Sequence, residues 1–218
     1  MNNYFIILAS GQSKRFNSKK PKQFISYKNK ALFEHSLDKA IDSKLFKKII
    51  VVVIKKNQIK KKYAKNVLII KGGKERSDSS MIALKYIKKF KPNNVLIHDA
   101  ARPNFSIKLL KKLIVSLRKN KASIPVIGSK DSIKYKVKNQ LFNLERNNSY
   151  LTQTPQAFKF NDLYKLSIKQ KSKIQDEATL YIQNNLKIKF IKGENSNNKI
   201  TFIEDIQETK TFYGIGFD

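Results

Sequence analysis

The sequence predicts an α/β domain: a mostly parallel sheet with helices on both faces. Three observations carry that reading. Short apolar runs alternate with helical patterns through the first half of the chain, the order that yields right-handed crossovers between parallel strands. Several runs, Ile49 to Ile54 among them, are apolar at consecutive positions, as strands covered on both faces are. The 218 residues suffice for one such domain with a full core and are short for two.

The expected strands are 4–9, 49–54, 67–70, 94–98, 123–127 and 187–191, and the expected helices are 31–42, 75–90, 106–119, 160–171, 176–184 and 204–213. Residues 129–156 break the alternation with a Lys- and Asn-rich stretch carrying Ile133, Tyr135, Val137, Leu141 and Phe142, which reads as a hairpin-like excursion. In open parallel sheets ligands bind at the carboxyl ends of the strands. The polar motifs fall there, after 4–9, 67–70 and 94–98.

Composition excludes several chemistries. Without Cys there is no disulfide scaffold, thiol nucleophile or cysteine metal site, and with only His35 and His98 there is no histidine-rich cluster. The N-terminus has no signal-peptide pattern and no apolar run reaches the length of a membrane span, so a cytoplasmic protein without a membrane partner is expected. The net charge of +30 invites a nucleic-acid reading, but only five of the 46 basic residues are Arg, and the 41 Lys are scattered over every segment. That distribution reads as a solvated basic surface. A nucleic-acid-binding module would cluster Arg and aromatic residues on one groove, so no specific nucleic-acid partner is expected.

The first strand opens into Ser10-Gly11-Gln12-Ser13-Lys14-Arg15-Phe16 and then Lys20-Pro21-Lys22-Gln23-Phe24. A buried strand feeding a small, cationic turn can place backbone N–H groups and positive charge around a phosphate, or it is an ordinary basic surface turn. Gly72-Gly73-Lys74-Glu75-Arg76-Ser77-Asp78-Ser79 follows the third strand: two glycines for close backbone approach, or a capped turn into a helix. In His98-Asp99-Ala100-Ala101-Arg102-Pro103, Asp99 can ligate a hard divalent cation with phosphates completing its shell. The plainer alternative makes Asp99 a turn cap and His98 a satisfied buried histidine.

Taken whole, Ala9-Ser10-Gly11-x-x-x-Arg15-Phe16 with Pro21-Lys22-Gln23-Phe24 resembles the signature loop of sugar-phosphate nucleotidyltransferases, and among them the 2-C-methyl-D-erythritol 4-phosphate cytidylyltransferase family. His98-Asp99-Ala100-Ala101-Arg102-Pro103, Thr154-Pro155-Gln156-Ala157-Phe158 and Asn197-Asn198-Lys199-Ile200-Thr201 are similar to further family motifs, in the family's order. The resemblance implies a Rossmann-like nucleotidyltransferase fold over residues 1–213, with a dimerisation arm at about 129–156. It implies CMP transfer from CTP to 2-C-methyl-D-erythritol 4-phosphate with release of pyrophosphate, Mg²⁺ as cofactor, and a homodimer. Arg15, Lys22 and Lys199 become the catalytic cations and Asp99 the metal ligand. Ala9, Ser10, Gly11, Gly73, Ser79 and Ala100 line the nucleotide, while Ser132, Arg146 and Thr201 meet the acceptor substrate, Arg146 across the dimer. The chain departs from the pattern at Lys74, where an acidic residue is expected, and at Ser132 and Gln175, where Thr is expected; Asp176 reads as a helix cap. A ribitol-5-phosphate or other sugar-phosphate cytidylyltransferase is the alternative within the fold.

Phe212-Tyr213-Gly214-Ile215-Gly216-Phe217-Asp218 resembles the opening strand of 2-C-methyl-D-erythritol 2,4-cyclodiphosphate synthase. Residues 214–218 are therefore expected to begin a second domain, as in fusions of the two enzymes.

Overall fold

Seven consecutive buried residues, Asn3–Ala9, form β1 at the centre of the sheet. Phe5, Ile7 and Ala9 enter one core and Tyr4, Ile6 and Leu8 the other, because successive side chains of a strand point to opposite faces. This is why the apolar run shows no alternation.

The computed structural model describes residues 2–13, 16, 20–63, 67–170 and 173–206. After β1 come β2 (Ser26–Tyr27), β3 (Lys30–Ala31), α1 (Leu32–Asp42), β4 (Lys48–Val53), β5 (Val67–Lys71), α2 (Arg76–Ile87), β6 (Asn94–Asp99), α3 (Ile107–Ser116) and β7 (Ala122–Gly128). Then follow β8 (Ile133–Val137), β9 (Gln140–Leu144), β10 (Tyr150–Thr152), β11 (Gln156–Lys159), α4 (Phe160–Lys169), α5 (Ala178–Gln183) and β12 (Lys189–Lys192). β5, β4, β1 and β6 lie side by side and parallel. β11 runs antiparallel between β6 and β7, and β7 also pairs with antiparallel β10 and parallel β12. The sheet is thus mixed and mostly parallel, as predicted.

One face is covered by α1 and α3 through Phe33, Leu37, Leu109 and Leu113, and the other by α2, α4 and α5 through Leu84, Ile87, Leu163 and Tyr181. The chain steps from β1 outward to β4 and β5, then returns to β6 on the other flank of β1. That reversal opens a crevice at the carboxyl ends of β1 and β6.

The predicted elements up to residue 192 stand, with shifted ends. Helix 106–119 contracts to 107–116: Ser106 caps its start, its Oγ accepting from Leu109 N–H at 3.1 Å, and residues 117–119 form a turn. Helix 176–184 contracts to 178–183 because the Asp176 side chain accepts from Thr179 N–H at 3.1 Å, the capping role expected of it. β10 and β11 were not among the predicted strands: they are short, and Thr154-Pro155 separates them. Residues 204–206 form a single 3-10 turn; the rest of the helix expected to 213, and residues 214–218, lie outside the described residues.

The excursion is a two-stranded hairpin, β8 and β9, every strand residue of which is partly or fully exposed. Tyr135 and Phe142 stack across it with ring centroids 5.2 Å apart. The chain returns to the main sheet at β10. Among the described residues no helix is long and apolar enough to cross a membrane.

Gly72 is required for space rather than for backbone conformation, since no described glycine has positive φ. A Cβ there would lie 2.6 Å from the Cβ and Oγ of Ser10 and 2.7 Å from Ser79 Oγ. The turn after β5 therefore packs directly on the loop after β1. Gly72→Ala should lower unfolding stability in a urea titration by about 1–3 kcal/mol, the cost of overpacking a closed contact. Gly11→Ala, where a Cβ meets nothing within 4 Å, should leave it unchanged.

Candidate active site

Four loops meet over the crevice. The loop after β1 is held from below by Gln23, whose Nε2 donates to Ala9 O and Gly11 O, each at 2.8 Å. Lys22 comes from the single 3-10 turn Lys22–Phe24, and its Nζ donates to Ile200 O at 2.6 Å. The segment 197–201 is tied in turn to the β6 loop, with Ile200 N–H on Ala101 O at 2.9 Å and Arg102 Nη1 on Asn197 O at 2.8 Å. Asn197, fully buried, donates to Thr154 O at 2.9 Å.

The turn after β5 supplies the fourth wall. Ser79 Oγ accepts from Gly73 N–H at 3.1 Å, donates to Glu75 O at 3.0 Å and lies 2.7 Å from Ser10 Oγ. With Ser79's single proton on Glu75 O, Ser10 is the donor between the two hydroxyls. Ser79, Ala9 and Ala100 are enclosed, whereas Gly11 is open to solvent.

Asp99, at the end of β6, joins the charges. Its Oδ1 accepts from Arg76 Nε at 3.0 Å and its Oδ2 from Lys199 Nζ at 2.7 Å. The far side of the Arg76 guanidinium pairs in bidentate fashion with Glu177, at 3.0 and 2.9 Å. Burial alone would raise the Asp99 pKa, but the Arg76 and Lys199 charges outweigh it and hold the carboxyl well below the usual range. Burial likewise works against the charge on Arg76, and Glu177 and Asp99 overcome it, holding the guanidinium above its ordinary value. The Asp99 side chain therefore does not cap the following turn.

His98 points the other way and is completely buried. His98 Nε2 lies 3.1 Å from Arg102 O, which can only accept, and 3.0 Å from Ser36 Oγ, so the ring proton sits on Nε2. Nδ1 then accepts from Thr154 Oγ1 at 3.0 Å, and Thr154 Oγ1 accepts from Asp99 N–H at 3.1 Å. Burial, more than any neighbouring charge, pushes the His98 pKa down to about 3. The imidazole is a neutral brace under the Asp99–Arg102 turn.

Lys22, Lys199, Asp99, Ser10 and Gly73 thus gather at one edge, while Thr201 sits at its rim with Oγ1 on Lys199 O at 3.2 Å. Arg15 lies outside the described residues. Ser132 and Arg146 lie in the arm with partners there: Lys134 Nζ donates to Ser132 Oγ at 2.9 Å, and Arg146 donates to Lys130 O at 3.4 Å. The sequence reading missed Glu177 and the bracing role of Gln23. A buried arginine at the start of α2 demands counter-charge, and that demand was the available signal for Glu177. Beside Lys199 opens a cleft of about 440 Å³ lined by Arg102, Ile127, Tyr150, Leu151, Thr152, Gln153 and Asn198.

Buried His98 and ion-paired Asp99 should make the folded state lose stability in acid. Unfolded His98 takes up a proton near pH 6.5 while the folded ring resists until about 3, so stability falls by up to about 1.4 kcal/mol per pH unit across that window. Asp99, whose folded pKa is depressed below the ordinary 3.8, contributes stability present above that value and lost as pH falls below it. Denaturant midpoints at pH 7, 5 and 4 should drop steadily, and His98→Asn should flatten the slope between 7 and 5.

The sequence matches the family model of 2-C-methyl-D-erythritol 4-phosphate cytidylyltransferase (IspD) over residues 4–213. It is 51% identical to the bifunctional enzyme IspD/IspF of Pelagibacter ubique over 221 residues, covering all of this chain and 60% of that protein's length. It is 34% identical to the 2-C-methyl-D-erythritol 4-phosphate cytidylyltransferase of Thermosipho melanesiensis, covering 94% of each. Its fold superimposes with a TM-score of 0.83 on 4-diphosphocytidyl-2C-methyl-D-erythritol synthase from Anaerococcus prevotii, at 32% identity and covering 94% of this chain and 92% of that one. The bifunctional IspDF of Campylobacter jejuni gives the same TM-score and identity over 94% of this chain and 53% of that one. The chain belongs to the 2-C-methyl-D-erythritol 4-phosphate cytidylyltransferase family.

Proposed function

We propose that the protein transfers CMP from CTP to 2-C-methyl-D-erythritol 4-phosphate and releases pyrophosphate. The observation that carries this reading is the convergence of Lys22, Lys199 and the open loop after β1 at the carboxyl ends of β1 and β6, in a chain of this family. A phosphate oxygen of the acceptor attacks the α-phosphorus of CTP, and the bond from that phosphorus to the bridging oxygen of the β-phosphate breaks. The nucleophile is already anionic at neutral pH, so no proton has to move. Catalysis then rests on alignment and on neutralising charge at the α-phosphorus. Lys22 and Arg15 serve the triphosphate, Lys199 stands between it and the acceptor, and Ala9, Ser10, Gly11, Gly73, Ser79 and Ala100 surround the nucleotide.

Among the described residues no group of three or more metal-ligating side chains exists. Asp99, the carboxylate at the end of β6, would hold a Mg²⁺ that takes its other ligands from phosphates and water. Such an ion would neutralise triphosphate charge. The acceptor lies in the cleft beside Arg102 and Lys199, with Ser132, Arg146 and Thr201 as its further contacts.

Pyrophosphate release measured over a matrix of CTP, ATP, UTP and GTP against several alditol phosphates tests the assignment. Turnover should be confined to CTP with 2-C-methyl-D-erythritol 4-phosphate. Preference for ribitol 5-phosphate would replace the acceptor, and silence across the CTP row would overturn the reaction.

The exposed apolar hairpin supports a homodimer in which Arg146 reaches the neighbouring subunit's site. Arg146→Ala and Lys22→Ala proteins, each inactive alone, should then regain activity on mixing, because a mixed dimer holds one site with both residues. No recovery despite demonstrated subunit exchange would return Arg146 to its own subunit or remove it from the reaction.

A further inference from the structure

We infer that Gln23 is a positioning residue that aims the backbone N–H groups of the loop after β1 at a nucleotide's phosphates and seats Lys22 beside them. The inference rests on the phosphate-binding reading of that loop proposed above. It concerns a residue buried beneath the crevice, 4% exposed, which reaches any ligand only through what it holds.

The side-chain amide of Gln23 has two donors and one acceptor oxygen, and all are committed to this corner. Nε2 donates to Ala9 O and Gly11 O, each at 2.8 Å, and Oε1 accepts from Ser13 Oγ at 3.1 Å. Ser13 Oγ accepts in turn from Lys22 N–H at 3.0 Å. Gln23, Ser13 and Lys22 form a closed ring of bonds. Ser13 itself stands at φ 56°, in the left-handed region that a non-glycine residue occupies only when its surroundings hold it there.

Pulling two carbonyls down fixes two N–H groups pointing up. In a planar trans peptide the C=O of one residue and the N–H of the next lie on opposite sides. With Ala9 O and Gly11 O turned to Gln23, Ser10 N–H and Gln12 N–H point away from it. The strand ladder gives the direction for the first. Leu8 O accepts from Ala100 N–H on the β6 side at 3.2 Å, so alternation puts Ala9 O on the β4 side and Ser10 N–H back on the β6 side. That is the side of Asp99 and the crevice. Among the described residues no acceptor meets the N–H of Ser10, Gly11 or Gln12. N–H groups turned outward and left without an acceptor in this way can meet an anion.

A brace needed only for stability would be served by any bond between the two loops. Here every bond of the amide lands either on a carbonyl whose partner N–H points away from Gln23, that of Ser10 toward the crevice, or, through Ser13, on the backbone of Lys22. The predicted effect of losing Gln23 is therefore selective for the phosphate half of the ligand.

The test is a titration of the intact protein and of Gln23→Met, Gln23→Glu and Ser13→Ala with three probes: CTP, inorganic triphosphate and cytidine, the last followed by NMR line shifts. Met keeps the volume but donates nothing; Glu keeps the shape but sets an acceptor against two carbonyl oxygens. Affinity for CTP and for inorganic triphosphate should fall about tenfold or more in both Gln23 variants, and less in Ser13→Ala, while cytidine affinity stays within about twofold. Unchanged triphosphate affinity in the Gln23 variants, or an equal loss for cytidine, would overturn the inference. If Gln23→Met does not fold, Gln23→Glu and Ser13→Ala decide the same point. Wild-type protein that binds cytidine but neither CTP nor inorganic triphosphate more tightly would overturn the phosphate reading of the loop itself, a failure separate from the first.

Discussion

A carboxylate taken out of water has to keep its counter-charges, and Asp99 is the carboxylate on which this site depends. Its two oxygens are divided between Arg76, from the start of α2, and Lys199, from the segment before the C-terminal 3-10 turn. Arg76 is itself too deeply enclosed to be satisfied by one acid, and Glu177, ahead of α5, supplies the second. Three segments far apart in sequence are thus drawn to the end of one strand by charge. Removing any member would strand a buried charge, a larger loss than the pair's own net contribution. The arrangement also leaves Lys199 partly exposed on its solvent side, where an anion can compete with Asp99 for its ammonium.

The sheet decides where that network can stand. β1 and β6 are neighbours, yet the chain leaves them in opposite directions, so the loops beyond them part and leave a crevice instead of packing on each other. Packing returns only at the flank, where Gly72 lets the turn after β5 come within van der Waals distance of Ser10. The hydroxyl pair Ser10–Ser79 then locks two walls together without a charge. The remaining wall is set from beneath by His98, held neutral by burial and bonded through Thr154 and Ser36. The site is therefore electrostatic at its rim and braced by neutral hydrogen bonds below.

Most of this frame was legible in the residues. A central strand buried on both faces writes itself as a continuous apolar run, which is why β1, β4 and β6 were placed within a residue or two. β10 and β11 were not legible because each is too short for a period, and their pairing depends on β7 and β6 being present already. Lys22 and Asp99 stood out by their place after a strand. Lys199 did not: one lysine among 41 carries no signal of its own, and only its resemblance to a family pattern singled it out. Gln23 was quoted in a motif but given no work, since a buried amide's bonds are a property of the folded loop. Arg15, read from the same motif, stays a sequence inference because it lies outside the described residues.

The charge balance of the chain offers a last reading of which residues matter. In a protein with 46 basic and 16 acidic residues, a solvated position accepts Lys as readily as Glu, so surface lysines say little. A buried acceptor cannot be exchanged in that way, because an ammonium has nothing to accept with. Several acids among the described residues are accordingly found at work. Glu34 accepts from Ala31 N–H and Lys60, Asp38 from Tyr63 and Lys30, Glu194 from Ser106, Asp205 from the N–H groups of Thr201 and Phe202. Asp176 holds Gln156 and caps α5, while Glu177 and Asp99 hold Arg76. In so basic a chain it is the scarce carboxylates, more than the abundant cations, that mark where the fold and the site are fastened.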